Sequence, residues 1–132
     1  MLHDSVLASH VGSILIVEDN QTNALILRSM LGKNGYSSLV ASDGREGVEM
    51  MRTHRPRLVL MDLQMPRLDG FSAASEILAG GDAPPIVAVT ASVAERVREA
   101  CLAAGFADVI SKPIMIEELL ETVRRLMPLP DA

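Results

Sequence analysis

Ile14-Leu15-Ile16-Val17-Glu18-Asp19-Asn20 is the stretch that decides the fold. Four apolar residues, three of them β-branched, stop abruptly at two adjacent carboxylates. An apolar run this short and sharply bounded reads as a strand buried on both faces. Leu58-Val59-Leu60-Met61 repeats the design and runs into Asp62. Open α/β sheets place their binding crevices at the carboxyl ends of strands. Glu18, Asp19 and Asp62 converging there would repel one another unless a hard divalent cation sat among them. The pattern points to Mg²⁺ chemistry on phosphate.

Outward from these two runs, strand and helix patterns alternate. The expected strands are Ile14–Val17, Ser38–Ala41, Leu58–Met61, Ile86–Val89 and Asp108–Ile110. The expected helices are Thr22–Lys33, Gly44–Met51, Phe71–Leu78, Val93–Ala104 and Ile116–Leu126. Leu25, Ile26, Ser29 and Met30 give the first helix one apolar face. Gly35 and Gly105 stand where left-handed C-caps belong. Asp43, with Glu46 three residues on, has the form of a capping box. Strict alternation implies parallel strands joined by right-handed crossovers, with helices on both faces of one sheet. The fold class is therefore α/β, a doubly wound five-stranded parallel sheet. Residues 1–12 carry no periodicity and read as a leader. Residues 13–126 form the domain, and residues 127–132, with Pro128 and Pro130, read as a tail.

Composition bounds the function. A chain of 132 residues holds one domain with a sizeable core. With 48% apolar residues but one Tyr, two Phe and no Trp, that core must be aliphatic. The eight Met residues read as filler for it. A net charge of −5 lacks the basic character of a nucleic-acid-binding surface. Cys101 is alone, which leaves no partner for an intramolecular disulfide, and it reads as a small buried hydrophobe. No apolar run spans a bilayer and no signal-peptide pattern opens the chain, so a cytoplasmic location with no membrane contact is expected. The leader histidines His3 and His10 have no expected partner. His54 falls in Arg52-Thr53-His54-Arg55-Pro56-Arg57, whose plainest account is a solvated basic loop.

The remaining strand ends add polar groups suited to a phosphoryl oxygen. Thr90-Ala91-Ser92 closes the fourth strand with a hydroxyl beside a small residue. Ser111-Lys112-Pro113 closes the fifth, where Pro113 disfavours a helical conformation at Lys112. A lone Thr is more often a helix cap and a lone Lys a solvated surface group. Lys112, however, ends a buried strand in a chain whose one other Lys is Lys33. After Asp62, the segment Leu63-Gln64-Met65-Pro66-Arg67-Leu68-Asp69-Gly70 carries Pro66 and the turn dipeptide Asp69-Gly70. That shape leaves the Gln64 backbone carbonyl free to face a metal.

Taken in order, these pieces resemble the receiver domain of two-component response regulators, over about residues 13–126. The resemblance implies a flavodoxin-like strand order 2-1-3-4-5. It implies Asp62 as phosphoacceptor, phosphorylated from a histidine kinase or a histidine phosphotransfer protein in a Mg²⁺-dependent reaction. Asp19, Asp62 and the Gln64 backbone carbonyl would bind the Mg²⁺ directly, with Glu18 acting through water. Lys112 would pair with the phosphoryl group and Thr90 would hydrogen-bond it. The Glu18-Asp19-Asn20 run with Asn23 resembles receivers of hybrid sensor kinases. The expected behaviour is that of a signalling module rather than an enzyme, a monomer or weak dimer that switches its contacts with a downstream protein target.

One position departs from the family pattern. Many members carry an aromatic residue three positions before the Lys, where this chain has Val109. A branched aliphatic cannot make the same rotation, so smaller shifts around the fourth helix and fifth strand are expected to carry the signal. Three other functions compete. A Mg²⁺-dependent phosphatase with an aspartyl nucleophile calls for a second Asp two residues after the first, where Gln64 stands. A flavin carrier calls for a phosphate-cradling loop where Glu18-Asp19 would repel it. A receiver working without phosphorylation has no need of all five site positions.

Overall fold

The computed structural model describes residues 13–65, 68–92 and 94–127. The expected leader 1–12, the tail beyond Met127, the loop geometry at Pro66 and the helix start at Val93 lie outside those residues. Ten elements alternate along the chain: β1 (Ile14–Val17), α1 (Gln21–Gly32), β2 (Ser38–Ala41), α2 (Gly44–His54), β3 (Leu58–Asp62), α3 (Gly70–Ala79), β4 (Ile86–Thr90), α4 (Glu95–Ala103), β5 (Asp108–Ser111) and α5 (Ile116–Leu126). All strand pairings are parallel, and the sheet order is β2-β1-β3-β4-β5.

Side chains alternate across the pleat, so each strand serves two cores. Ile14, Ile16, Leu58, Leu60, Val87, Val89 and Ile110 pack with Leu27 and Leu31 of α1 and Leu119 and Val123 of α5. Leu15, Val17, Val59, Met61, Ile86 and Ala88 face the other way, onto Val48 of α2, Ala73, Ala74 and Ile77 of α3 and Cys101 of α4. Burial on both faces is why β1, β3 and β4 read as unbroken apolar runs. Met127 is buried with the first core, so the packed body reaches that residue.

Of the apolar face assigned to α1 from spacing, only Met30 packs, partly buried, against the core. The buried stripe of α1 is Ala24, Leu27 and Leu31, whereas Leu25 is 65% and Ile26 48% exposed. The helix begins one residue early, because Asn20 caps it by accepting the Asn23 N–H at 2.9 Å. Leu27 and Leu31 pack on Ile14, Ile16, Leu58 and Leu60, which turns that stripe inward.

Gly35 and Gly105 close their helices as expected. Both have positive φ, 92° and 104°. The paired bonds Tyr36 N–H to Leu31 O with Gly35 N–H to Gly32 O, and Phe106 N–H to Cys101 O with Gly105 N–H to Leu102 O, are Schellman closures. The capping box at α2 is displaced. Asp43 accepts from Glu46 N–H at 2.8 Å, but Glu46 reaches back to Ser42 N–H rather than to the cap residue.

Candidate functional site

The register places the site. Val17 pairs with Met61 and Ala41, and Asp62 with Val89, so β1, β3 and β4 end level with one another. Glu18 and Asp19 leave β1 at that edge, and Asp62 is the last residue of β3. One carboxylate oxygen from each of Glu18, Asp19 and Asp62 lies within 4.8 Å of the others. Glu18 and Asp62 are each only 4% exposed, while Asp19 faces solvent. The three residues singled out in the sequence form one cluster.

Two kinds of donor hold it. Asn20 N–H donates to Glu18 Oε2 at 3.0 Å, and Gln64 N–H donates to Asp62 Oδ1 at 3.1 Å. Lys112 arrives from the end of β5 and spans the pair, its Nζ 3.2 Å from Asp62 Oδ2 and 3.5 Å from Glu18 Oε1. Its backbone N–H is fixed by Thr90 O at 2.8 Å, and the Lys112–Pro113 peptide is cis. Thr90 is buried at the end of β4, and its Oγ1 accepts the Ser92 N–H at 3.1 Å, which holds the following turn. Val109 is half-buried beside the α4 side of the core.

The electrostatics follow from that geometry. Burial pushes the Glu18 carboxyl above its usual range; the Asn20 N–H opposes this, while the charge of Asp62 adds to it. Burial alone would lower Lys112. The hydrogen bond and charge of Asp62, with Glu18 behind them, outweigh that and raise it. The cluster carries three carboxylates against one ammonium. Its donors are hard oxygens gathered at one point, partly buried and partly open, which is what a Mg²⁺ ion that keeps several of its waters requires. The residues fit the ion.

The loop after β3 is shaped by glycines whose part in it the sequence does not reveal. A Cβ at Gly70 would stand 2.4 Å from Asp62 O and 2.7 Å from Leu63 Cα. One at Gly44 would stand 1.9 Å from Leu68 O. Asp69-Gly70 reads as a turn dipeptide, yet Asp69 is the N-cap of α3 and Gly70 its first residue, pressed against the Asp62 backbone. Only the folded loop brings Gly44 and Leu68 together, so neighbouring residues give no sign of this requirement.

Comparison with known proteins identifies the family and the fold. The family model for the response regulator receiver domain matches residues 14–124. The response regulator MprA of Mycolicibacterium vanbaalenii is 43% identical over 116 residues, which cover 86% of this chain and 49% of that protein. This chain thus spans about half the length of the curated relatives it matches. Among solved structures, the receiver domain of the sensor histidine kinase PA1611 from Pseudomonas aeruginosa has a magnesium ion in its active site cleft. It is 38% identical, with a TM-score of 0.80, over 88% of this chain and 97% of that one. The receiver domain of Ssk1, crystallised with the histidine phosphotransfer protein Ypd1 of Saccharomyces cerevisiae, is 33% identical with a TM-score of 0.82, over 87% and 88% of the two chains. Sequence and fold agree, and the chain belongs to the receiver domain family of two-component response regulators.

Proposed function

We propose that this domain accepts a phosphoryl group on Asp62 from a phosphohistidine and relays the change to a protein partner. The observation that carries it is the meeting of Glu18, Asp19 and Asp62 under Lys112 at one sheet edge.

An Asp62 oxygen attacks phosphorus. The new O–P bond forms as the P–N bond to the donor imidazole breaks, and the electron pair stays on the ring nitrogen. Gln64 N–H and Lys112 orient the carboxylate before attack. Lys112 then turns its charge to the phosphoryl oxygens, and the Thr90 hydroxyl leaves Ser92 N–H to donate to one of them. Glu18, Asp19, Asp62 and the Gln64 backbone carbonyl would hold Mg²⁺, whose charge lets an anionic nucleophile approach an anionic donor.

Movement of Thr90 releases the turn at Ser92 and so reaches α4 and β5. Val109 is small enough that this signal travels as a local shift. The domain is modified in this chemistry and does not turn over phosphate esters.

The donor is a protein. An apolar groove of about 460 Å³ opens beside Glu18 and Lys112, lined also by Ile26, Met30, Pro113 and Ile114. Leu25 and Ile26 stand exposed on α1 and Met115 just before α5. Apolar surface of this kind ringing an acidic centre suits a helical donor that delivers its histidine from above.

Incubation with acetyl phosphate and Mg²⁺, followed by intact mass measurement, tests the assignment. One added phosphoryl group is expected, absent with EDTA and absent in Asp62→Asn. An adduct that persists in Asp62→Asn overturns it.

A further inference from the structure

At the far end of the sheet from the acidic cluster lies a groove of about 670 Å³ that phosphoacceptor chemistry does not use. Ser13 before β1, Ser37 and Ser38 at the start of β2, and His54, Arg55 and Arg57 from the α2–β3 connection line it. No carboxylate is among its lining residues. Arg52, Arg55 and Arg57 fall within six residues of a chain whose net charge is −5. Among the described residues, neither Arg55 nor Arg57 is paired with a carboxylate.

The basic segment is fixed in place. Arg55 closes α2 in the left-handed conformation, φ 49° and ψ 60°, and its N–H donates to Met51 O at 3.1 Å. Arg57 N–H donates to Ser13 O at 2.9 Å, and Ile14 N–H to Ser37 O at 3.1 Å. These bonds tie the basic loop to the two serine-bearing strand ends.

Ser38 contributes backbone to the groove, since it pairs with Ile14 and its side chain shares that residue's face, towards α1 and α5. It is 8% exposed, and its hydroxyl is the only buried side-chain polar atom among the described residues with no hydrogen-bond partner.

We propose that this groove is a second, anion-binding site of the domain, selective for a phosphate-class group. The guanidinium forks of Arg55 and Arg57 match a tetrahedral oxyanion, which a spherical halide does not. Ser13 and Ser37 supply short neutral donors. No aromatic residue lines the groove, so a nucleobase has nothing to stack on. The recognised unit is the phosphate itself, presented either as a free phosphate compound or on a lipid headgroup. The site is independent of aspartyl phosphorylation, since it sits at the amino-terminal edge of the strands and the acidic cluster sits at the other.

The test is titration of the full 132-residue chain with pyrophosphate in EDTA, at constant ionic strength held with NaCl, and followed by amide chemical shifts. Saturable shifts at residues 13, 37–39 and 54–57, with none at 18–20 or 62–64, are expected. Arg55→Asn, chosen because Asn tolerates the left-handed backbone, combined with Arg57→Gln should weaken binding at least tenfold. Sedimentation with phosphatidylcholine vesicles, with and without phosphatidylinositol phosphate, forms the second arm. Arginine-dependent binding in either arm supports the site and identifies the source of the phosphate. Shifts that follow ionic strength whatever the anion, or that survive the double substitution, overturn it.

Discussion

Lys112→Met isolates what one ammonium does for a buried acidic pair. Lys112 contacts Asp62 Oδ2 at 3.2 Å and Glu18 Oε1 at 3.5 Å, and both carboxylates are nearly inaccessible. Removing one partner of a fully buried ion pair costs about 3–5 kcal/mol. The Lys112 side chain keeps 29% of its surface exposed, so water screens part of the loss and about 1–3 kcal/mol is expected. At roughly 4 °C per kcal/mol for a domain of this size, the melting temperature in EDTA should fall by about 4–12 °C at pH 7.5. Two controls fix the cause. Adding Mg²⁺ should close most of the gap, because a cation bound to the native carboxylates replaces the missing charge. Lowering the pH should narrow it as well, because protonating Glu18, whose carboxyl burial holds above its usual range, relieves the same repulsion. A Lys112→Met protein as stable as its parent in EDTA at pH 7.5 would refute the electrostatic account of the pocket.

Glu18, held above its usual range chiefly by burial, makes the metal-free domain lose stability as pH rises from about 4.5 through its raised native pKa, since the native state binds the proton more tightly than the unfolded chain. Urea midpoints in EDTA should show that slope, and Glu18→Gln should flatten it. Gly70→Ala forces a methyl to within 2.4 Å of Asp62 O; denaturant melts should show a loss of about 1–3 kcal/mol, and intact mass a slower acetyl phosphate reaction. Leu31→Ala, in the core between α1 and the sheet, should cost about 2–5 kcal/mol by urea titration without reducing the amount of phosphoryl adduct at saturation.

The sheet was legible because burial on both faces leaves a one-dimensional mark. Ile14–Val17, Leu58–Met61 and Ile86–Val89 are apolar without interruption, and the structure differs from those bounds only by extending β3 to Asp62 and β4 to Thr90. The acidic cluster was legible for a related reason. Parallel strands in register bring their carboxyl ends together, so residues 18, 19 and 62 meet although more than forty positions separate them.

The rotation of α1 was not legible. Leu25, Ile26, Leu27, Met30 and Leu31 offer two overlapping apolar stripes, and the packing of Leu27 and Leu31 on β1 and β3 chooses between them. Exposed Leu25 and Ile26 then become surface beside the site instead of core. Gly44 and Gly70 are a different case, because their neighbours Leu68 and Asp62 are set by tertiary folding and leave no local pattern. Asn20, in the run that with Asn23 resembles a hybrid-kinase signature, is accounted for here by the helix cap, to which Asn23 gives only its backbone N–H. Relatives of both kinds, a response regulator and a sensor-kinase receiver, match the chain.

Borohydride trapping addresses the central claim directly. The domain is treated with acetyl phosphate and Mg²⁺, reduced, digested and sequenced by mass spectrometry. An acyl phosphate on a carboxylate is converted to an alcohol, which turns the modified aspartate into homoserine. Homoserine is expected at position 62 alone, and none when Mg²⁺ is withheld. Homoserine at position 19, or a phosphoryl adduct that leaves position 62 as aspartate, would contradict the claim.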